Sequence, residues 1–485
     1  MTEVAQGAPE RQFFGQPRLL ANLFGVEMWE RFSYYAMGGI LLLYLYYPVA
    51  QGGLALPQAT AVSIAGAYGG LVYLSTIAGA WVADRLMGPE RTLFYAAVLV
   101  MLGHLFLSLL PGVAGVAVGL VCIAFGSGAV KANSTAMVGT LYAEDDPRRD
   151  AGFSIYYLGI NLGALIGPLV TGWLQVSWGF KVGFAAAAVG MAIGLTQYAF
   201  ARRRFPAKDR VVPNPIPAGH RVRYALALLA ALVVIAILVW AGVLTADRLV
   251  TVVVGITLVA AVAYFTVILR SRRVTPVERN RVIAFIPMFV ASTAFWSLYQ
   301  QQGTVLTIYS DTEVNRDLFG YELPVPWVLQ STPIFVIILS GLFAALWTRL
   351  GDRQPSTPMK FALGTAVMGI GFLLMVPLAT TIPDSAPLLG ITGVMFVFTI
   401  AELLLSPVGL SLSTKLAPAA YQTQMVALFF LSVALGTALS GQLARFFSEA
   451  DQVPYFAILG GVAIVIGIIL AVMTPWLKRL MGGVR

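Results

Sequence analysis

The chain has 485 residues, of which 58% are hydrophobic and only 11% charged, with a mean hydropathy of +0.82. Soluble domains carry charge on about a quarter of their residues, so this composition excludes one and requires an all-α membrane protein of many spans, each helix satisfying its own backbone. The net charge of +9 does not mark a nucleic-acid partner: twenty-five of the 31 Lys and Arg residues fall in one alternating set of loops and tails, the positive-inside bias.

That bias places both termini, the Arg85/Arg91 loop, the Arg148-Arg149 loop and the Arg202-Arg203-Arg204 stretch on the cytoplasmic side of a bacterial-type plasma (inner) membrane. No amino-terminal segment pairs a short apolar core with a small-residue cleavage site, so the first span is expected to stay in place. Cys122, the single cysteine, lies in an apolar segment, which excludes an internal disulfide.

Apolar windows recur at 19–47, 58–83, 92–110, 113–142, 152–174 and 180–201, parted by short polar or Pro/Gly-marked turns. Residues 1–205 are therefore expected to form a six-helix bundle. The segment 206–223 contains Val212-Pro213-Asn214-Pro215-Ile216-Pro217 and reads as a cytoplasmic linker. Two windows almost free of polar residues, 224–244 and 248–269, place two additional lipid-facing helices in 224–270. Six more, at 282–310, 325–349, 359–379, 386–416, 421–447 and 454–477, make 271–485 a second six-helix bundle. Fourteen transmembrane helices follow, and two six-span halves form the architecture of a transporter with its substrate site near the midplane.

The first window holds Glu27-Met28-Trp29-Glu30-Arg31-Phe32-Ser33-Tyr34-Tyr35. Facing lipid, its three charges would cost about 8 to 10 kcal/mol, enough to oppose insertion. Positions 27, 30, 31, 34 and 35 share one helical face, so the stripe must face protein or water. Lys131, alone in the fourth window, is too deep for its stem to reach water easily, and its candidate partners are Glu27, Glu30 and Glu402. A static buried ion pair would often be no more stabilising than apolar packing, so a mobile, functional pairing is the favoured reading.

Elsewhere, Gly66, Gly69-Gly70, Gly159, Gly163, Gly167 and Gly172 suit close helix approach. His104 reads as a hydrogen-bonded packing histidine rather than a proton relay, and His220 as solvated. No His/Cys/Asp cluster has metal spacing and no nucleophile has a nearby base, so no metal, cofactor or catalytic residue is expected.

The loop Gly79-Ala80-Trp81-Val82-Ala83-Asp84-Arg85-Leu86-Met87-Gly88-Pro89-Glu90-Arg91 resembles the signature between the second and third spans of the major facilitator superfamily. The resemblance implies structural and gating roles for Asp84 and Arg85. With Glu27-x-x-Glu30-Arg31-Phe32-x-Tyr34-Tyr35, Phe153-Ser154-Ile155-Tyr156-Tyr157-Leu158-Gly159-Ile160-Asn161-Leu162-Gly163, and Ala401-Glu402-Leu403 followed by Ser406-Pro407, the chain resembles the proton-dependent oligopeptide transporter family. The matches spread over both halves. They imply a major facilitator fold of two six-helix bundles with two extra helices between them, and a proton-coupled symporter importing di- and tripeptides by alternating access.

The same resemblance implies proton coupling by Glu27, Glu30, Arg31, Lys131 and Glu402. It implies peptide binding by Arg31, Tyr34, Tyr35, Tyr73, Lys131, Asn161, Trp296, Gln300, Glu402 and Ser432. The electrostatics fit: burial disfavours a charged Glu30, while Arg31 and Lys131 favour it, so its proton affinity depends on whether a substrate carboxylate occupies those cations. Expected partners are small peptides, protons and the lipid bilayer, around a monomeric functional unit.

Four positions depart from the family pattern. Gly38 and Gln300 stand where many members have an Arg and an acid that pair outside; Thr332 replaces an Asn before Pro333, and Phe429 a Trp. The paired loss reads as neutral replacement of a gate, since losing one charge alone would strand the other. The alternative is a relative carrying another small anion or zwitterion such as nitrate. A channel fits two pseudo-repeated halves less well, and an intramembrane enzyme lacks a catalytic constellation.

Overall fold

The computed structural model describes residues 13–143, 146 and 148–482. Helices carry the chain in the order α1 (Arg18–Tyr46), α2 (Gln58–Val82), α3 (Pro89–Leu109), α4 (Gly112–Thr140), α5 (Arg149–Trp178), α6 (Phe180–Ala201), α7 (Arg221–Trp240), α8 (Leu249–Arg270), α9 (Pro276–Tyr299), α10 (Val305–Thr312), α11 (Val325–Val328), α12 (Ser331–Leu350), α13 (Thr357–Leu378), α14 (Leu388–Lys415), α15 (Gln422–Ala444) and α16 (Val453–Leu480). Leaving out the short α10 and α11, fourteen long helices remain among the described residues, the expected number. Thirteen spans are long and apolar enough to cross a membrane; α1 is the other, its apolarity lowered by Glu27, Glu30 and Arg31. The expected cytoplasmic termini concern residues 1–12 and 483–485, which lie outside the described residues.

Element ends follow local chemistry. Thr275 accepts from the Glu278 amide at 3.3 Å while Glu278 accepts from the Thr275 amide at 2.9 Å, a reciprocal cap with Pro276 in the first turn of α9. The window expected to run 282–310 breaks at Gln300–Gly303, a tight turn between α9 and α10. A side chain takes over one freed carbonyl there, Thr307 Oγ1 donating to Gln302 O at 2.6 Å, and Gln301 Nε2 ties the turn to α15 by donating to Ser440 O at 3.3 Å. A break at membrane depth is tolerated only with such substitutes, and continuous apolarity could not reveal it.

Two compact units emerge, and each takes non-contiguous stretches. The first comprises residues 1–37, 75–171 and 181–224; its core joins Leu20, Leu23 and Val26 of α1 with Leu93, Ala97 and Val100 of α3 and Val130, Met137 and Val138 of α4. The second takes 38–74, 172–180 and 225–485. Within it Gly66 and Gly441 bring α2 and α15 together, since a Cβ on Gly66 would stand 2.5 Å from Gly441 Cα. α7 buries no residue, as a lipid-facing helix should. α8 exposes Ile256, Val259 and Val262 while Val250 and Val253 pack on Ala67 of α2 and Ala438 of α15.

Candidate functional site

α5 approaches the charged stripe of α1 because glycines let it. A Cβ at Gly163 would lie 2.3 Å from the Met28 carbonyl oxygen, and one at Gly167 would lie 2.6 Å from that of Phe32. Gly163→Val is therefore expected to push α5 off α1 and destabilise the first unit by about 1 to 3 kcal/mol, read as a lowered unfolding midpoint of purified protein. A wild-type midpoint would show that α5 gives way freely.

The three charges of the stripe form a buried ion cluster. Arg31 Nε donates to Glu30 Oε2 at 2.6 Å, Nη2 stands 2.5 Å from the same oxygen, and Glu27 Oε1 lies 3.4 Å from Nε. Two guanidinium nitrogens thus share one carboxylate oxygen. Arg31 is 4% exposed, and its Nη2 has no aligned hydrogen-bond acceptor among the described residues. Ser127 donates to the other oxygen, Glu30 Oε1, and Ser134 Oγ donates to Glu27 Oε2 at 2.6 Å. The Tyr156 hydroxyl is 2.6 Å from Ser134 Oγ. Lys131 lies on α4 between these serines, within electrostatic reach of Glu27, Glu30 and Arg31.

Tyr34 presents its ring to the Arg31 guanidinium, 5.1 Å from centroid to carbon, and meets Tyr35 edge-on at 5.1 Å. Asn161 is buried, its Nδ2 donating to Tyr157 O at 2.9 Å. Glu27, Glu30, Arg31, Tyr34, Tyr35, Lys131 and Asn161 thus belong to the first unit.

The other expected proton-coupling and peptide-binding residues fall in the second unit. Glu402 accepts from the Tyr299 hydroxyl at 2.7 Å, and the Tyr299 ring packs edge-on to Trp296 at 5.4 Å and stacks on Phe295 at 5.8 Å. Trp296 is buried, and its Nε1 has no acceptor among the described residues. Ser432 differs from its neighbours in the expected set: its hydroxyl is engaged 2.8 Å from Ser292 Oγ and donates to Phe429 O at 2.7 Å, joining α15 to α9. Tyr73 is half-buried on α2, and Gln300 opens the break after α9. Thr332, which replaces the expected Asn, donates to Gln302 Oε1 at 3.1 Å, so a glutamine amide from the break adjoins this position.

Gly38 has open space where a side chain would project. The end of α1 is held to the residues after α9 by different chemistry: Tyr46 and Tyr47 both donate to Asp311, Tyr47 at 2.7 Å, and Arg316, 4.0 Å from Asp311, pairs with Glu322 at 2.9 Å. Two phenols on one carboxylate thus join the end of α1 to α10, about 12 Å along α1 from Gly38.

Asp84 and Arg85 pair at 3.3 Å and dock the proline-rich segment: the Asn214 amide donates to Asp84 O at 2.9 Å and its side chain to Asp84 Oδ1 at 2.8 Å, while the Ile216 amide donates to Arg85 O at 3.3 Å. Gly88, at φ +79°, faces the Arg210 carbonyl so closely that a Cβ would stand 2.9 Å from it. The expected linker is therefore fastened to this loop. His104 is fully buried with neither ring nitrogen hydrogen-bonded among the described residues, which corrects the hydrogen-bonded role while keeping the packing one.

Sequence reasoning missed Ser127, Ser134, Tyr156 and Tyr299. The signal was present for the serines: 127, 131 and 134 are spaced i, i+4, i+7, so they share the Lys131 face of α4. Tyr156 stood inside a motif already singled out.

A mostly helical chain with fourteen membrane-length helices among the described residues, and buried ions lining one face of its first span, has the construction of a membrane transporter. The POT family model matches residues 90–462. A di-/tripeptide transporter of Lactococcus lactis subsp. cremoris is 40% identical over 98% of this chain and 99% of that protein. A crystal structure of a peptide transporter POT in complex with sulfate superposes with a TM-score of 0.94 at 42% identity, covering 98% of both chains. A POT family transporter in complex with 5-aminolevulinic acid gives 0.92 at 36% identity, over 97% of this chain and 99% of that one. The chain belongs to the POT family: it is an integral membrane transport protein, not an enzyme, and the resemblance read from its motifs is borne out.

Proposed function

We infer that the protein is a proton-coupled symporter of di- and tripeptides, working by alternating access as a monomeric unit in a bacterial inner membrane with both termini in the cytoplasm. The observation that carries this reading is Arg31: a buried guanidinium holding Glu30 by two nitrogens on one oxygen, for which a substrate carboxylate can compete. A peptide carboxylate is that group, received by Arg31 with Lys131. Its arrival weakens the hold of both cations on Glu30, which then takes a proton. The peptide amino group goes to Glu402 and Asn161, while Tyr34, Tyr35, Tyr73 and Trp296 supply hydroxyl, indole and ring surface. Gln300 and Ser432 complete the proposed binding set. Asp84 and Arg85 act as gating residues through the loop they hold.

The relatives support the substrate class. 5-Aminolevulinic acid, bound by one of them, carries an amino group and a carboxylate several bonds apart, as a dipeptide does. Nitrate has no amino group to engage Glu402 and is disfavoured. Competition against one labelled dipeptide in proteoliposomes tests the reading: unlabelled di- and tripeptides should block uptake and nitrate should not. Block by nitrate but not by peptides would overturn it.

A further inference from the structure

We propose that Ser127 is a positioning residue for proton coupling, serving Glu30 in both of its protonation states. The inference rests on the symport reading above. Glu30 is completely buried, so its carboxyl group depends on protein partners. Oε2 belongs to Arg31 and Oε1 to Ser127. Guanidinium and ammonium groups are donors only, so neither Arg31 nor Lys131 can accept the O–H of a protonated Glu30. A hydroxyl both donates and accepts.

The surroundings leave this task to Ser127. The charged groups around Glu30 are Arg31 and Glu27 from its own helix and Lys131 from α4. From α5, Tyr156 meets Ser134, the partner of Glu27, and α6 presents the uncharged Met191 to Ser33. When a proton binds at Oε1, the new O–H bond points to Ser127 Oγ. The serine hydrogen then turns to the carbonyl four residues back, that of Ile123, the usual acceptor for a helical serine. No proton passes through the serine: one is gained by Glu30, and one hydroxyl rotates. The carboxyl group keeps its partners and its place, so neither charge state leaves an oxygen of Glu30 stranded.

Ser134 does not duplicate the arrangement. Its hydroxyl serves Glu27 but also meets Tyr156, so it already sits in a chain of two hydroxyls.

The test compares Ser127→Ala, Ser127→Cys and Ser127→Thr with the unaltered chain in proteoliposomes. Readouts are dipeptide accumulation driven by a proton gradient, counterflow exchange without one, and the pH profile of uptake. For Ser127→Ala the ratio of accumulation to exchange should fall about tenfold, the effect of one stranded buried donor, and the pH profile should change shape. Ser127→Thr, which keeps the hydroxyl, should restore both. Ser127→Cys, a weaker donor and acceptor of similar size, should fall between and decides the matter if the alanine variant does not fold. An unchanged ratio and profile in Ser127→Ala or Ser127→Cys would overturn the proposal. So would equal impairment of Ser127→Thr and Ser127→Ala, which marks a packing role. If the unaltered chain accumulates no dipeptide under a proton gradient, the symport reading itself fails.

Discussion

Glu30→Gln protein in liposomes is expected to exchange internal for external dipeptide yet accumulate none under a proton gradient. The amide keeps the size of the carboxyl group and an oxygen for Arg31, but it cannot gain a proton. One proton falling through about 100 mV supplies roughly 2.3 kcal/mol, enough for a forty- to fifty-fold concentration ratio of a neutral zwitterion. Without a titrating group at this position that ratio should collapse to about one. Parallel measurements of accumulation and counterflow separate the lost coupling from lost binding. Intact accumulation would remove Glu30 from the coupling role and shift attention to Glu27 and Glu402.

Arg31→Ala should abolish both accumulation and exchange and also destabilise the fold. It strands Glu30 and Glu27, both buried and both currently facing the guanidinium. Breaking a buried pair by removing one member costs about 3 to 5 kcal/mol, because the remaining charge has no partner. Two consequences are mixed in that variant, and a second separates them. Glu27→Gln/Glu30→Gln/Arg31→Ala carries no stranded charge, so its thermal midpoint should recover much of the loss while transport stays absent. Recovery of dipeptide exchange in the triple variant would show that Arg31 serves only to neutralise its neighbours, and the carboxylate-binding role would be lost.

Much of the candidate site was legible because membrane energetics makes charge conspicuous. Glu27, Glu30, Arg31, Lys131 and Glu402 stand out against apolar spans where each charge would otherwise cost about 3 kcal/mol. Hydroxyl groups carry no such mark. Ser127 and Ser134 lie among the many small residues of α4, and beyond their place on the Lys131 face it is contact with Glu30 and Glu27 that distinguishes them. Tyr299 was likewise one aromatic among many until it met Glu402.

The gate shows a second limit. Local pattern located the loss of both expected charges at Gly38 and Gln300, but it could not say what joins the end of α1 to the residues after α9 instead. Tyr46 and Tyr47 lie more than 260 residues from Asp311 in the chain, and their hydrogen bonds to it arise only because the end of α1 and α10 meet within one compact unit. The proline-rich stretch at 206–223 makes the same point: its composition reads as a tether, while its backbone is spent on Asp84 and Arg85.

By itself the sequence determined that this is a helical membrane protein with fourteen long helices, and which buried charges need partners, since hydrophobic length and the cost of burying charge are local properties. Only the tertiary structure decided how those charges are satisfied. Two nitrogens of Arg31 share one oxygen of Glu30, a serine holds the other, and α9 breaks where the Gln301 side chain can tie the turn to α15. Those outcomes depend on which helices come into contact, and directional hydrogen bonds between distant residues leave no periodicity in the chain to read.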